Sequence, residues 1–332
     1  METSVMPSPP PGPARTLSRL SLVFPVYNEI ESLPYLREAV ESWAIRHPAL
    51  AVEVVLVDDG SRDASALFLK QWAESRPGVR ALLLSRNFGH QAAVTAGLEH
   101  ATGEAVVIMD ADLQDPLSAI DDMIRAYEAG YDIVYGRRVS RAGETLFKRA
   151  TAWLYYRALK TMHSGLPLDA GDFRLVSRRC VDAVNALPEK DRFLRGLFAW
   201  IGFPQTDVPY EREARHYGVT KYPLLKMLRF AWSGITAFSV LPIRLVSLMG
   251  FGAALLSLAY LAYALIAHAR GQTVTGWTTI VILQSFFGGC ILLAIGVVGE
   301  YIGKIFEEVK GRPVYLKRDD IRQHTPGESG RE

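Results

Sequence analysis

Two uncharged tracts near the carboxyl end set the strongest limit on how this chain folds. Residues 245–267 carry no charged side chain, and neither do residues 271–299. Each tract is long enough to cross a hydrocarbon core of roughly 30 Å as a helix. Only His268-Ala269-Arg270 separates them, so spans at about 245–267 and 277–298 are expected to form a transmembrane hairpin. Arg244 precedes the first span, and Lys304, Lys310, Arg312, Lys317 and Arg318 follow the second. Positive residues collect on the cytoplasmic side, which places both termini inside. Just before the hairpin, Leu224, Leu228, Trp232 and Ile235 share one helical face, with Lys226 and Arg229 elsewhere. That is the pattern of an amphipathic helix lying in the membrane interface.

The first two-thirds of the chain reads differently. Apolar, β-branched runs at 20–26, 52–57, 79–84, 105–109 and 133–135 predict strands, and helical stretches at 32–46, 64–75, 90–101 and 116–129 alternate with them. Such alternation predicts an α/β domain with a mostly parallel, doubly wound sheet. Ligands of these sheets bind beyond the carboxyl ends of the strands. Asn28-Glu29, Asp58-Asp59 and Asp110-Ala111-Asp112 all fall at such ends.

Composition removes several alternatives. A net charge of +2 gives no basic surface for nucleic acid. Cys180 and Cys290 stand far apart, without a disulfide framework or zinc spacing. No Gly-x-Gly-x-x-Gly follows the first strand, which disfavours a Rossmann dehydrogenase. Residues 1–18 are proline-rich and lack the apolar core of a signal peptide, so they are expected to be a disordered tail, leaving the following domain in the cytoplasm.

Two carboxylates one residue apart at a strand end suit a hard divalent cation. Magnesium or manganese takes oxygen ligands and commonly shares them with substrate phosphates. Asp110 and Asp112 are the candidate ligands, and Gln114 adds a further oxygen.

Longer motifs sharpen this. Phe24-Pro25-Val26-Tyr27-Asn28-Glu29, Val57-Asp58-Asp59-Gly60-Ser61-Arg62-Asp63 and Asp110-Ala111-Asp112-Leu113-Gln114-Asp115-Pro116 resemble family 2 glycosyltransferases, which have the nucleotide-sugar-binding fold called GT-A. Their order and spacing resemble the branch holding dolichol-phosphate mannose synthase and the bacterial polyprenyl-phosphate glycosyltransferases. Arg86-Asn87-Phe88-Gly89, Gly171-Asp172-Phe173-Arg174-Leu175, Arg192-Phe193-Leu194-Arg195-Gly196 and Gly218-Val219-Thr220-Lys221-Tyr222 extend the resemblance. So do Gly299-Glu300-Tyr301-Ile302-Gly303 and Lys310-Gly311-Arg312-Pro313, which look like the two-span bacterial members.

The resemblance implies roles. Pro25, Tyr27 and Glu29, with Asp58 or Asp59, would hold base and ribose. Asp110 and Ala111, with Asp112 and Gln114, would meet the metal and the diphosphate. Arg215 and Lys221 match a loop that closes over the donor, and Arg138 and Arg149 match positions for the acceptor's phosphate. Asp172 would organise the acceptor or act as a base. The implied reaction moves a sugar with inversion from a nucleotide-sugar donor, UDP-linked before GDP-linked, to a polyprenyl-phosphate acceptor at the cytoplasmic face of a bacterial inner membrane. Glucose leads among the sugars; mannose, an amino-arabinose and N-acetylated hexosamines stay open. A homo-tetramer fits similar proteins. A processive polysaccharide synthase is the rival enzyme, but the chain lacks a Gln-x-x-Arg-Trp signature; a non-catalytic scaffold would not need the acidic cluster. The expected plan is a tail at 1–18, a GT-A domain at 19–222, interfacial helices at 223–243, two spans within 244–299 and a cytoplasmic tail at 300–332.

Overall fold

The computed structural model describes residues 11–139, 170–211, 241–271 and 276–323. The interfacial helix expected before the hairpin lies almost wholly outside them. Strand β1 (Arg19–Val26), helix α1 (Leu33–Arg46), β2 (Ala51–Asp58), α2 (Ser65–Ser75), β3 (Val79–Leu84), α3 (His90–His100), β4 (Ala105–Ile108), α4 (Ala119–Glu128) and β5 (Ile133–Arg138) follow the expected alternation. The helices are cut to the sheet. Leu33, Leu36, Val40 and Trp43 form one buried stripe on α1, at the spacing of a helix face. In α3, every residue from Ala92 to Leu98 is buried, and its small Ala92, Ala93, Ala96 and Gly97 let the backbone lie close against β1 and β2.

Three further strands were not predicted. Beyond β6 (Ala170–Ser177) come α5 (Arg178–Asn185), α6 (Leu194–Trp200) and β7 (Gln205–Tyr210), and β8 (Lys317–Arg322) returns from the carboxyl end. The sheet order is β7-β5-β6-β4-β1-β2-β3-β8. β1 pairs in parallel with β2 and β4, as do β2 with β3 and β5 with β7. β6 runs antiparallel between β4 and β5, and β8 runs antiparallel along β3. The sheet is therefore mixed, with most of its pairs parallel.

Both expected tails need correction. Residues 11–18 pack on the domain: Gly12 N–H donates to the Gly130 carbonyl at 2.9 Å, Arg15 bonds Asp132 at 3.1 Å and lies over the Tyr127 ring, and Leu17 is buried. Asp132 is fully buried and needs this cation, together with Arg179. The segment after 300 first continues a helix and then supplies β8.

The chain divides into two units, 1–224 with 313–332, and 225–312. The second contains α7 (Leu241–Ala269) and α8 (Trp277–Val309), which pack side by side. Among the described residues, Leu245–Ala267 and Phe286–Val309 are the stretches long and apolar enough to cross a membrane, with mean hydropathies of 2.0 and 1.8. The first agrees with expectation; the second lies further along the chain than 277–298. At 33 residues, α8 is roughly 50 Å long, so an apolar span of roughly 30 Å occupies only part of it. Leu248, Phe251, Leu258 and Leu292 are exposed along these helices.

Candidate active site

The parallel tips of β4, β1 and β2 end side by side. Val26 pairs with Asp58, and Val23 pairs with Ile108, so the segments after Val26, Asp58 and Ile108 leave the sheet along one edge. β6 joins them from the opposite direction. Ile108 faces Arg174 at the end of the antiparallel ladder, and Asp110, just beyond β4, and Asp172, on β6, lie close to this point. His90, the first residue of α3, closes this corner: its Nε2 lies 3.1 Å from Asp110 Oδ1 and 3.9 Å from Asp172 Oδ2.

Asp172 is held as a carboxylate. Arg195 Nε and one of its terminal nitrogens donate to the two Asp172 oxygens at 2.7 and 2.8 Å, the paired geometry a guanidinium makes with a carboxylate. Burial pushes the Asp172 carboxyl up, but the Arg195 fork, with Arg174 and His90 nearby, outweighs it and holds the group below the usual range. Asp110 goes the other way. Burial, and then the charges of Asp172, Asp112 and Asp115, push it up to about 6 against the pull of His90.

The expected nucleotide residues divide. Pro25 is half-buried at the end of β1 and Tyr27 is 43% exposed. Glu29 N–H donates to Ser65 Oγ at 3.1 Å. Asp58 accepts from Ser61 N–H at 3.2 Å and is buried, which raises its pKa. Asp59 uses both oxygens on the loop after β3, taking Phe88 N–H at 2.7 Å and Gly89 N–H at 3.0 Å. Gly60 explains the fit: a Cβ there would stand 2.6 Å from Asn87 N. Asp59 thus ties two loops together, while Asp58, beside the tip of β1, holds the turn at Ser61. Ala111 is buried, while Asp112 and Gln114 are partly exposed in the loop after β4, where Gln114 N–H donates to Asp112 Oδ1 at 3.2 Å. Leu113 in that loop adopts a φ of 56°, a conformation costing about 1 kcal/mol or more. A groove of about 640 Å³ opens beside Asp112, between α1 and this loop, lined by Ser32, Tyr35, Glu38, Leu113 and Pro116.

Arg138 ends β5 at the same edge; its Nε donates to Tyr210 Oη at 3.2 Å. Arg149, Arg215 and Lys221 lie outside the described residues. Sequence reasoning gave no role to His90 or Arg195. Both sit in quoted or adjoining motifs, but their partners are 20 and 23 residues away, and only the sheet register joins them.

The donor set fits a hard cation in part. Among the described residues no three His, Cys, Asp or Glu side chains come close enough to hold an ion by themselves. Asp110 and Asp112 offer oxygen ligands, and magnesium is commonly bound through one or two carboxylates plus substrate phosphates.

Residues 21–184 match the model described as glycosyl transferase family 2. YkcC, a glycosyltransferase of Bacillus subtilis (strain 168), is 43% identical, the match covering 89% of this chain and 92% of the relative. The SfII prophage-derived bactoprenol glucosyl transferase of Shigella flexneri is 39% identical over 92% of this chain and 99% of its own. The chain belongs to glycosyl transferase family 2. Its mixed sheet, with the acidic loop beyond β4, is the GT-A-like architecture expected for a family 2 glycosyltransferase. Among solved structures, the mannosyltransferase PcManGT from Pyrobaculum calidifontis, in complex with GDP-Man and Mn2+, aligns over 87% of this chain and 90% of its own, at a TM-score of 0.44 and 18% identity.

Proposed function

We propose that this family 2 enzyme transfers a glucosyl group, with inversion, from a nucleotide-sugar to a polyprenyl phosphate on the cytoplasmic side of a bacterial membrane. The observation that carries it is the convergence at one sheet edge of Asp110, Asp172, Arg195 and Arg138, in a chain with relatives named bactoprenol glucosyl transferases along almost their whole length.

The acceptor's second phosphate pKa is about 6, so near neutral pH it attacks without a strong base. A phosphate oxygen forms the new bond at the anomeric carbon while the bond to the nucleoside diphosphate breaks on the opposite face. Alignment and charge neutralisation then set the rate. Arg138 binds the acceptor phosphate. Asp172, committed to Arg195, is a poor base and serves as an organiser. Pro25, Tyr27, Glu29 and Asp58 hold the nucleotide. Asp110 and Asp112, with Gln114, would hold a magnesium or manganese ion, which when bound supplies positive charge to the departing diphosphate. α7 and α8 keep the enzyme at the bilayer, because a polyprenyl chain, at roughly 0.8 kcal/mol per buried methylene, does not leave it.

Membranes containing the protein, given labelled UDP-glucose, polyprenyl phosphate and magnesium, are expected to yield one labelled lipid, lost on chelation. Asp112→Ala is expected to abolish transfer in protein that remains folded and membrane-bound. Normal turnover by that variant would overturn the metal assignment, and no labelled lipid from any nucleotide-sugar would overturn the reaction.

A further inference from the structure

Arg138, half-buried at the end of β5, is held by two buried residues, Tyr210 and Asp115. Tyr210 and Arg138 are register partners on the neighbouring strands β7 and β5. Tyr210 is 5% exposed, and its hydroxyl donates to Asp115 Oδ1 at 2.6 Å while Arg138 Nε donates to it at 3.2 Å. Proton bookkeeping leaves one arrangement. An ionised carboxylate only accepts and a guanidinium only donates, so the phenol's proton goes to Asp115 and its lone pair to Arg138. With Nε committed, the far end of the guanidinium is turned toward β6, where one terminal nitrogen stands 3.2 Å from the position a Cβ on Gly171 would take. Gly171 adjoins Asp172.

Packing fixes the phenol as firmly as its hydrogen bonds do. The Tyr210 and Phe173 rings meet edge to face at 5.4 Å. Gly136 lies beneath both, and a Cβ there would come within 2.7 Å of the Tyr210 ring and 2.8 Å of Phe173. Asp115 is itself buried, five residues beyond Asp110 on the same acidic loop. The Tyr210 hydroxyl therefore connects the loop that serves the donor to the arginine that serves the acceptor.

We infer that Tyr210 is a positioning residue for acceptor binding, setting the direction of Arg138 toward a phosphate monoester by accepting from its Nε with a hydroxyl that is itself anchored on the buried Asp115. This rests on the acceptor role given to Arg138 above. Tyr210 touches no substrate and acts through Arg138.

The test is steady-state transfer by the full-length protein in membranes, with UDP-glucose and a polyprenyl phosphate varied separately. Tyr210→Phe keeps the ring and removes the hydroxyl. It is expected to raise KM for the polyprenyl phosphate about tenfold, the scale of a lost hydrogen bond to a charged group, and to leave KM for UDP-glucose within about twofold of wild type. In an Arg138→Lys background the same change is expected to add little, the non-additivity of two groups in one network. Asp115→Asn keeps an acceptor oxygen, so it is expected to shift the acceptor KM in the same direction by less. It carries the test if Tyr210→Phe does not accumulate. A lowered melting temperature with both KM values unchanged would overturn the inference, as would equal effects on both substrates or effects that multiply in the double variant. If the wild type forms no lipid-linked product, the reaction assignment fails first, and the Tyr210 inference with it. If the wild type works and only the KM pattern is wrong, the inference alone fails.

Discussion

Asp172 and Asp110 both lie beside His90, yet their carboxyls shift in opposite directions, and the main difference between them is the Arg195 guanidinium on Asp172. Arg195 spends two of its donors on Asp172. Arg195→Ala is expected to let burial move the Asp172 pKa upward and to slow transfer roughly 10- to 100-fold, the scale of losing hydrogen bonds between charged groups. The pH–rate profile should then gain an acid limb absent from the wild type. Asp110 makes a different prediction for the metal-free protein. Its folded pKa of about 6 lies above its ordinary 3.8. The folded state holds this proton more tightly than the unfolded one, so the contribution is present below about pH 4 and lost as pH rises through about 6. Melting temperatures of metal-free wild type should fall more over that interval than those of Asp110→Asn, and adding magnesium at neutral pH should restore much of the loss. The carboxylates were legible in the sequence because strand-end acids announce themselves locally. His90 and Arg195 were not, because a histidine at a helix start and an arginine in a short helix acquire meaning only from what a distant strand brings beside them.

Elements differed in legibility for an equally physical reason. Strands β1 to β4 are mostly buried and read as largely apolar runs, interrupted inside the strands only by Ser21, Glu53 and Arg80. β6 alternates Phe173 and Leu175 with Asp172 and Arg174, so its buried charges, which belong to the site, disguise it as a loop. β8, with the sequence Lys-Arg-Asp-Asp-Ile-Arg, shows no apolar pattern. Its place is held by the ladder to β3 and by a two-point contact from Arg80 to Asp320 at 2.8 and 2.6 Å. Charge on an outer strand also discourages a further chain from adding to the sheet. Removing residues 313–332 is expected to expose the β3 edge and to cause aggregation on purification. Asp320→Ala, which leaves the ladder intact, should cost only about 1 kcal/mol in a denaturant melt.

At the scale of the molecule, the fold, the family and the presence of two long apolar helices were readable from the sequence, whereas the register of the second span was not. The helix α8 continues beyond Val298 through Glu300 and Lys304 to Val309, so charge alone does not mark where it ends. The hairpin predicts that a reporter at the very carboxyl end reads as cytoplasmic and one placed between α7 and α8 reads as external. Matching signals from both positions would remove the membrane crossing.

The helical unit interrupts the catalytic one, since the chain leaves after residue 224 and resumes it at 313. Cutting the gene before the first apolar helix would therefore discard a strand along with the anchor. A water-soluble catalytic module calls for excision and splicing, with a flexible linker in place of residues 225–312. By the same logic, a chain nicked within that interval keeps the segment from residue 313 through the β3–β8 ladder and contacts such as Arg80–Asp320, and a synthetic peptide of that sequence should rescue a truncated enzyme in trans.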